Sequence, residues 1–163
     1  SDDLSRQLGT FALLPLVKAA VRVPVIAAGG IADAAGVAAA MALGADAVQL
    51  GTAYLLCPEA TTSALHRAAL RSAAAAHTAL TNLFTGRPGR GIVNRVMREL
   101  GPLRPAPHPA FPLATAALAP LRAAAEGRGN SDFSPLWSGQ NGSGCRELGA
   151  AELTLALAQG FER

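Results

Sequence analysis

The sequence predicts an α/β fold organised on a parallel βαβ unit, and three observations carry that expectation. Pro24-Val25-Ile26-Ala27-Ala28 is a short apolar run closed abruptly by Gly29-Gly30, the pattern of a strand buried on both faces. From Ala34 to about Leu43 the chain is alanine-rich, with Asp33 in the N-cap position and Gly44 at C′, which reads as a helix. Ala47-Val48-Gln49-Leu50 is a second short apolar run, closed by Gly51-Thr52.

Both strands therefore end in small residues at their carboxyl ends. In (β/α)8 (TIM) barrels that is the working face, and a phosphate site often lies on the loops after the last two strands. Gly29, Gly30 and Gly51 let backbone N–H groups approach an anion closely, while Thr52 adds a hydroxyl and Gln49 an amide at the same rim. Each glycine turn taken alone would serve equally as a tight turn or a strand terminus. Two such rims joined by one helix favour the anion cradle.

The remaining elements follow in order. Ser1 to Gln7 is polar and reads as a loop. Leu13 to Val21 has helical spacing, with Lys18 on its polar side and Pro15 near its start, where a missing N–H costs little. The legible core is thus α-β-α-β and begins mid-pattern, as a piece of a barrel would; a complete (β/α)8 barrel needs about 250 residues. Thr61 to Ala76 is helical by propensity, with Thr61, Thr62 or Ser63 available as a cap. His66 and His77 lie on or just after it and read as solvated side chains. Phe84 to Gly91 is a turn-rich stretch whose Arg87 and Arg90 fit surface ion pairs better than an anion cradle. Ile92 to Leu100 resumes helical spacing until Gly101-Pro102 stops it. Pro102, Pro105, Pro107, Pro109 and Pro112 make an extended connector, with His108 solvated within it. A helix from Leu113 to Glu126 ends at Gly127. Trp137 and Gln140, in the Phe133–Gln140 stretch, either border a ligand pocket or anchor one part of the chain to another. Ala150 to Phe161 is the final helix.

Composition narrows the class. The chain has 163 residues, half of them hydrophobic but only 4% aromatic, which suits small-side-chain helices packed on a sheet. Its formal charge of +3 is scattered, without the basic and aromatic interleaving of a nucleic-acid surface. Lys18, Arg22, Asp33 and Asp46 interrupt the apolar stretches, so no membrane span is expected. Cys57 and Cys145 have no metal-ligand spacing and read as reduced thiols of a cytoplasmic protein. No leader is visible, and Ser1 in place of Met suggests a true N-terminus upstream.

Three segments resemble one family. AAGGIADAAGVAAAMALGADAVQLGTAYL resembles the flavin-phosphate segment of nitronate monooxygenases, formerly called 2-nitropropane dioxygenases. FTGRPGRGIVNRVMREL resembles a second stretch of that family, with Gly89 where Ala is commoner, and the Trp137–Gln140 segment resembles its WxGQ motif. The first segment is shared with related FMN barrels, including a flavin enoyl-reductase group; the second favours the nitronate enzymes.

The resemblance implies the C-terminal portion of a TIM barrel with an inserted small helical lobe. Residues 1–58 would be the last βαβ part of the FMN-binding barrel, 59–134 the substrate-side lobe, and 135–163 the return segment and final barrel helix. It implies FMN as cofactor, contacted by Gly30, Gln49, Leu50, Gly51 and Thr52, with Gly29 beside them. It implies a parent enzyme that oxidises alkyl nitronates with dioxygen to carbonyl compounds and nitrite. Another FMN oxidoreductase, such as an enoyl-thioester reductase, or an inactive flavin-binding fragment are the alternatives. The family's GGHRG-type histidine motif is missing from this sequence, so no catalytic role passes to His66, His77 or His108. No metal site is expected. An open sheet edge would invite association with another chain.

Overall fold

The computed structural model describes residues 4–104, 109 and 111–161. Contacts divide the chain into two units: the first runs up to Thr61 and resumes at Asn141, and the second is Thr62–Gln140. Residues 135–140 thus belong with the second unit, and the return begins at Asn141.

In the first unit, α1 (Thr10–Ala20) leads into β1 (Ile26–Ala28), α2 (Ala34–Ala42) and β2 (Ala47–Gln49). The strands pair in parallel with Ile26 opposite Ala47, Ala27 opposite Val48 and Ala28 opposite Gln49. This is the expected βαβ unit, with shorter strands. Asp33 caps α2 as its position predicts, its Oδ1 accepting the Gly36 N–H at 2.8 Å. Gly44 follows at φ 95°, in the left-handed region where a Cβ would be strained.

The expectation of a first strand buried on both faces is corrected. Alternation puts Ala27 and Val48 toward the helices, where Ala27 joins a cluster with Leu14, Ala40 and Ala45. Ile26, Ala28 and Gln49 share the opposite face, and Ile26 is 60% exposed. Helices cover only one face of this two-stranded ladder. The start of α1 is corrected as well: it begins at Thr10, so Pro15 lies inside the helix.

Helix α6 (Ala150–Ala158), extended by a 3-10 turn over Gln159–Phe161, closes the first unit. Its Leu153 and Leu157 pack with Val37, Ala53 and Cys57. Full burial of a leucine is worth roughly 1.5–3 kcal/mol, so this pair anchors the returning chain. Gly149 offers no capping side chain, and Glu59 Oε1 accepts the Ala150 N–H at 3.0 Å instead. Asp46 accepts from Lys18 Nζ and from the Val25 N–H; the lysine first, then the backbone bond, holds its carboxyl below the usual range.

The second unit combines helices with a two-stranded sheet that the expected helical lobe did not include. Helix α3 (Ala64–Arg71) is capped by Ser63, whose Oγ accepts the His66 N–H at 3.3 Å. It stops well short of Ala76 because Ser72 turns extended, its hydroxyl donating to the Ala69 carbonyl at 2.8 Å. A 3-10 turn over Ala73–Ala76 follows. Strands β3 (Thr78–Thr81) and β4 (Gly89–Ile92) then pair antiparallel, Thr78 opposite Ile92 and Thr81 opposite Gly89. The end of the expected turn is therefore a strand, and α4 starts only at Arg95 (Arg95–Leu100). Composition hid β4, since glycine is depleted in strands. Here the glycines make room: a Cβ on Gly89 would lie 2.9 Å from Trp137 Cζ3, and Gly91 bridges to Trp137.

Arg87 and Arg90 differ from the expected surface ion pairs. Arg87 lies over the Phe111 ring at 5.0 Å, and Arg90 Nη1 donates to the Thr78 carbonyl and hydroxyl at 3.3 Å. Phe84, Val96 and Met97 form the core of this unit, with Trp137 edge-on to Phe84 at 5.6 Å. Helix α5 (Ala114–Glu126) ends at Gly127 as expected. Residues 105–108 and 110 of the proline connector, His108 included, lie outside the described residues.

Candidate functional site

The two strand ends come out side by side. Ala28 and Gln49 are register partners, and neighbouring strands lie about 4.8 Å apart, so the loops that follow leave one edge of the ladder together. On β1 that loop is Gly29-Gly30, with φ of 99° and 78°. On β2 it is Leu50-Gly51-Thr52, which opens a 3-10 turn over Thr52–Tyr54. The structure thus brings Gly29, Gly30, Gln49, Leu50, Gly51 and Thr52 to one rim.

Their surroundings differ in useful ways. A Cβ built on Gly30 or on Gly51 meets nothing within 4 Å, so both backbones border open space. Gly29 is tighter, with Thr10 Oγ1 at 3.2 Å from such a Cβ. Gln49 is exposed on the uncovered face, alongside Ala28. The Leu50 side chain packs inward against the cluster of Val37 and Leu153, so only its backbone serves the rim. In the 3-10 turn the first internal bond is Tyr54 N–H to the Gly51 carbonyl, at 3.1 Å. Glycine backbone bordering open space, with a hydroxyl beside it and no carboxylate among these rim residues, suits a phosphate group.

Two side chains that hold the rim were not legible in the sequence. Thr10 Oγ1 donates to the Ala28 carbonyl at 3.1 Å, and Asn141 Nδ2 donates to the Gly30 carbonyl at 3.1 Å. Thr10 was hidden by the misplaced start of α1. Asn141 directly follows Gln140 of the WxGQ-like stretch, a signal that stopped one residue short.

The histidines do not add chemistry. His66 is half-buried, and its Nε2 lies 3.0 Å from the Trp137 carbonyl oxygen, which corrects the expectation of a solvated ring. Burial pulls its pKa below the ordinary value, offset in part by that hydrogen bond. His77 is exposed after the 3-10 turn. The Trp137 ring is spent on Phe84 and Gly89 in the core of the second unit. Neither Cys57 nor Cys145 forms a disulfide. Among the described residues, no group of His, Cys, Asp and Glu could hold a metal ion, and no helix is long and apolar enough to cross a membrane.

Fold and rim together define an α/β protein with open glycine turns at the carboxyl ends of adjacent parallel strands. The chain belongs to the nitronate monooxygenase family, whose model matches residues 3–160. A nitronate monooxygenase from Pseudomonas aeruginosa is 45% identical over 152 residues, covering 93% of this chain and 43% of that protein. One from Paraburkholderia phytofirmans is 44% identical, covering 96% of this chain and 43% of its own length. Among solved structures, nitroalkane oxidase from Streptomyces ansochromogenes superposes with a TM-score of 0.89 at 43% identity, over 99% of this chain and 46% of that one. FabK from Thermotoga maritima gives a TM-score of 0.70 at 27% identity, over 96% of this chain and 50% of its own. The chain spans less than half the length of the curated relatives it matches.

Proposed function

We propose that this chain supplies the cofactor-phosphate side of an FMN-dependent nitronate monooxygenase, which oxidises alkyl nitronates with dioxygen to a carbonyl compound and nitrite. The observation that carries the reading is the shared rim. Gly30 and Gly51, on register-paired strands, both present backbone to open space. Family membership supports the same reading.

FMN, when bound, would supply the redox chemistry, and this chain's residues hold it in place. Backbone N–H groups at Gly29, Gly30, Gly51 and Thr52, with the Thr52 hydroxyl, take the phosphate. Gln49, on the uncovered face of the ladder, offers its amide toward the flavin, and Leu50 contributes its backbone. No proton transfer is assigned to this chain. His66 is engaged with the Trp137 carbonyl, and the family's histidine motif does not occur in the sequence.

In this reading the first unit is the C-terminal portion of a TIM barrel, and the second is a lobe inserted on the substrate side. The uncovered face with Ile26 and Gln49 is then the side facing the barrel interior, and the free edge of the two-stranded ladder takes a further strand or another chain. Two cysteines outside any disulfide fit a cytoplasmic location.

The FabK likeness keeps an enoyl-thioester reductase as the second reading. One experiment separates them. The complete enzyme of which this chain supplies the phosphate side, loaded with FMN, is given an alkyl nitronate and dioxygen, and in parallel an enoyl thioester and a reduced nicotinamide cofactor. Nitrite release matched by oxygen uptake is expected; enoyl reduction without nitrite would overturn the assignment.

A further inference from the structure

We propose that Asn141 is a positioning residue: by holding the Gly30 carbonyl it aims the Ile31 N–H of the same peptide at the FMN phosphate, adding a donor to that site. This rests on the FMN reading above. The starting point is the freedom of the turn. Gly29 and Gly30 both sit at positive φ, and no atom lies within 4 Å of a Cβ on Gly30, so packing does not fix the loop there. An unfixed glycine pair loses much conformational entropy when a ligand orders it.

Two hydrogen bonds hold it beforehand. Thr10 Oγ1 takes the Ala28 carbonyl on one side of the pair, and Asn141 Nδ2 takes the Gly30 carbonyl on the other. A trans peptide is planar, with its N–H opposed to its C=O. Fixing the Gly30 carbonyl on Asn141 therefore turns the Ile31 N–H away from Asn141.

Asn141 is itself well held. Its Oδ1 accepts from Ser143 N–H at 3.2 Å and from Ser143 Oγ at 2.7 Å. Two donors on Oδ1 leave Nδ2 as the end that faces the carbonyl, so the amide has one orientation. Three residues after Asn141, Gly144 lies so close to the Ala32 carbonyl oxygen that a Cβ would overlap it, which seats the 141–144 loop directly on the segment after the glycine turn. Chain from beyond the second unit thus returns to set the geometry of a turn more than a hundred residues earlier.

The test compares FMN with riboflavin, which lacks the phosphate, by flavin fluorescence titration of the purified protein. Loss of one positioning hydrogen bond in Asn141→Ala is expected to weaken FMN about three- to tenfold and leave riboflavin affinity unchanged. A purely structural role would weaken both ligands alike, and that result overturns the proposal, as does an unchanged FMN affinity. Circular dichroism reports whether the variant folds. Should it not, Ser143→Ala loosens the Asn141 amide while leaving it present, and is expected to give about a twofold, phosphate-selective loss; equal loss of both ligands, or none, again overturns the proposal. Wild-type protein that binds no FMN would instead remove the FMN reading itself, and this inference with it.

Discussion

Gly51→Asp separates binding from folding more cleanly than any other change at the rim. Gly51 has φ −111°, a value open to every residue, and its Cβ would meet nothing within 4 Å. The variant should therefore fold as the wild type does, within about 0.5 kcal/mol of its stability. What changes is charge. A carboxylate about 5 Å from a bound phosphate costs about 0.8 kcal/mol per pair of unit charges at the dielectric of water and about 3.3 kcal/mol at an effective value of 20. The first figure is about a fourfold loss and the second over a hundredfold, and a phosphate near its second ionisation carries more than one charge. We expect FMN affinity to fall at least tenfold, measured by fluorescence titration, with an unchanged thermal midpoint. Gly51→Ala, which adds bulk without charge, should fall between wild type and Gly51→Asp. Raising the salt concentration should narrow the gap for Asp and leave it for Ala. An Asp variant that binds FMN as tightly as wild type would refute the phosphate site at this rim.

Three further outcomes follow from the packing and titration of the chain. Gly144→Ala forces a Cβ onto the Ala32 carbonyl and should destabilise the first unit by about 1–3 kcal/mol in denaturant titration; an unchanged midpoint would contradict that close approach. Asp33→Ala removes the acceptor of the Gly36 N–H and should cost about 1 kcal/mol, and Asp33→Asn should recover most of it. His66 has its folded pKa depressed by burial, so between that value and the ordinary value of about 6.5 the unfolded chain binds more protons. Its contribution is complete above about pH 6.5 and is lost as pH falls toward the folded pKa. An NMR titration should place the His66 midpoint below 6.5, and His66→Gln should flatten the stability profile over that range.

The βαβ unit was legible because its signals are local. Asp33 and Gly44 bracket α2 by capping chemistry, and the glycines after β1 and β2 mark where each strand stops. The rim followed from the same marks. What could not be read depended on partners distant in sequence. Nothing near Gly89-Arg90-Gly91 announces a strand; the segment pairs with Thr78–Thr81 and needs its glycines only because Trp137 lies across them. The open face of β1 was misread for a related reason, since an apolar run does not say how many layers cover it, and Ile26 stays exposed. His66 looked like any surface histidine until the Trp137 carbonyl, 71 residues away, was found at its Nε2. Thr10 and Asn141 reach the glycine turn by the same kind of long-range contact.

The distribution of two rare residue types has a practical consequence. Both cysteines, Cys57 and Cys145, fall in the first unit, and the sole tryptophan, Trp137, falls in the second. Cys57 is 1% exposed under α6, so a thiol reagent reaches it only when that helix lifts, whereas Cys145 is partly accessible from the start. Indole emission reports on the other unit, through the loss of the Phe84 and Gly89 surroundings. The wild-type chain therefore carries two independent reporters of opening, one chemical and one optical. Pulse-labelling Cys57 while following emission along a denaturant ramp would show whether the units come apart in one cooperative step or in two.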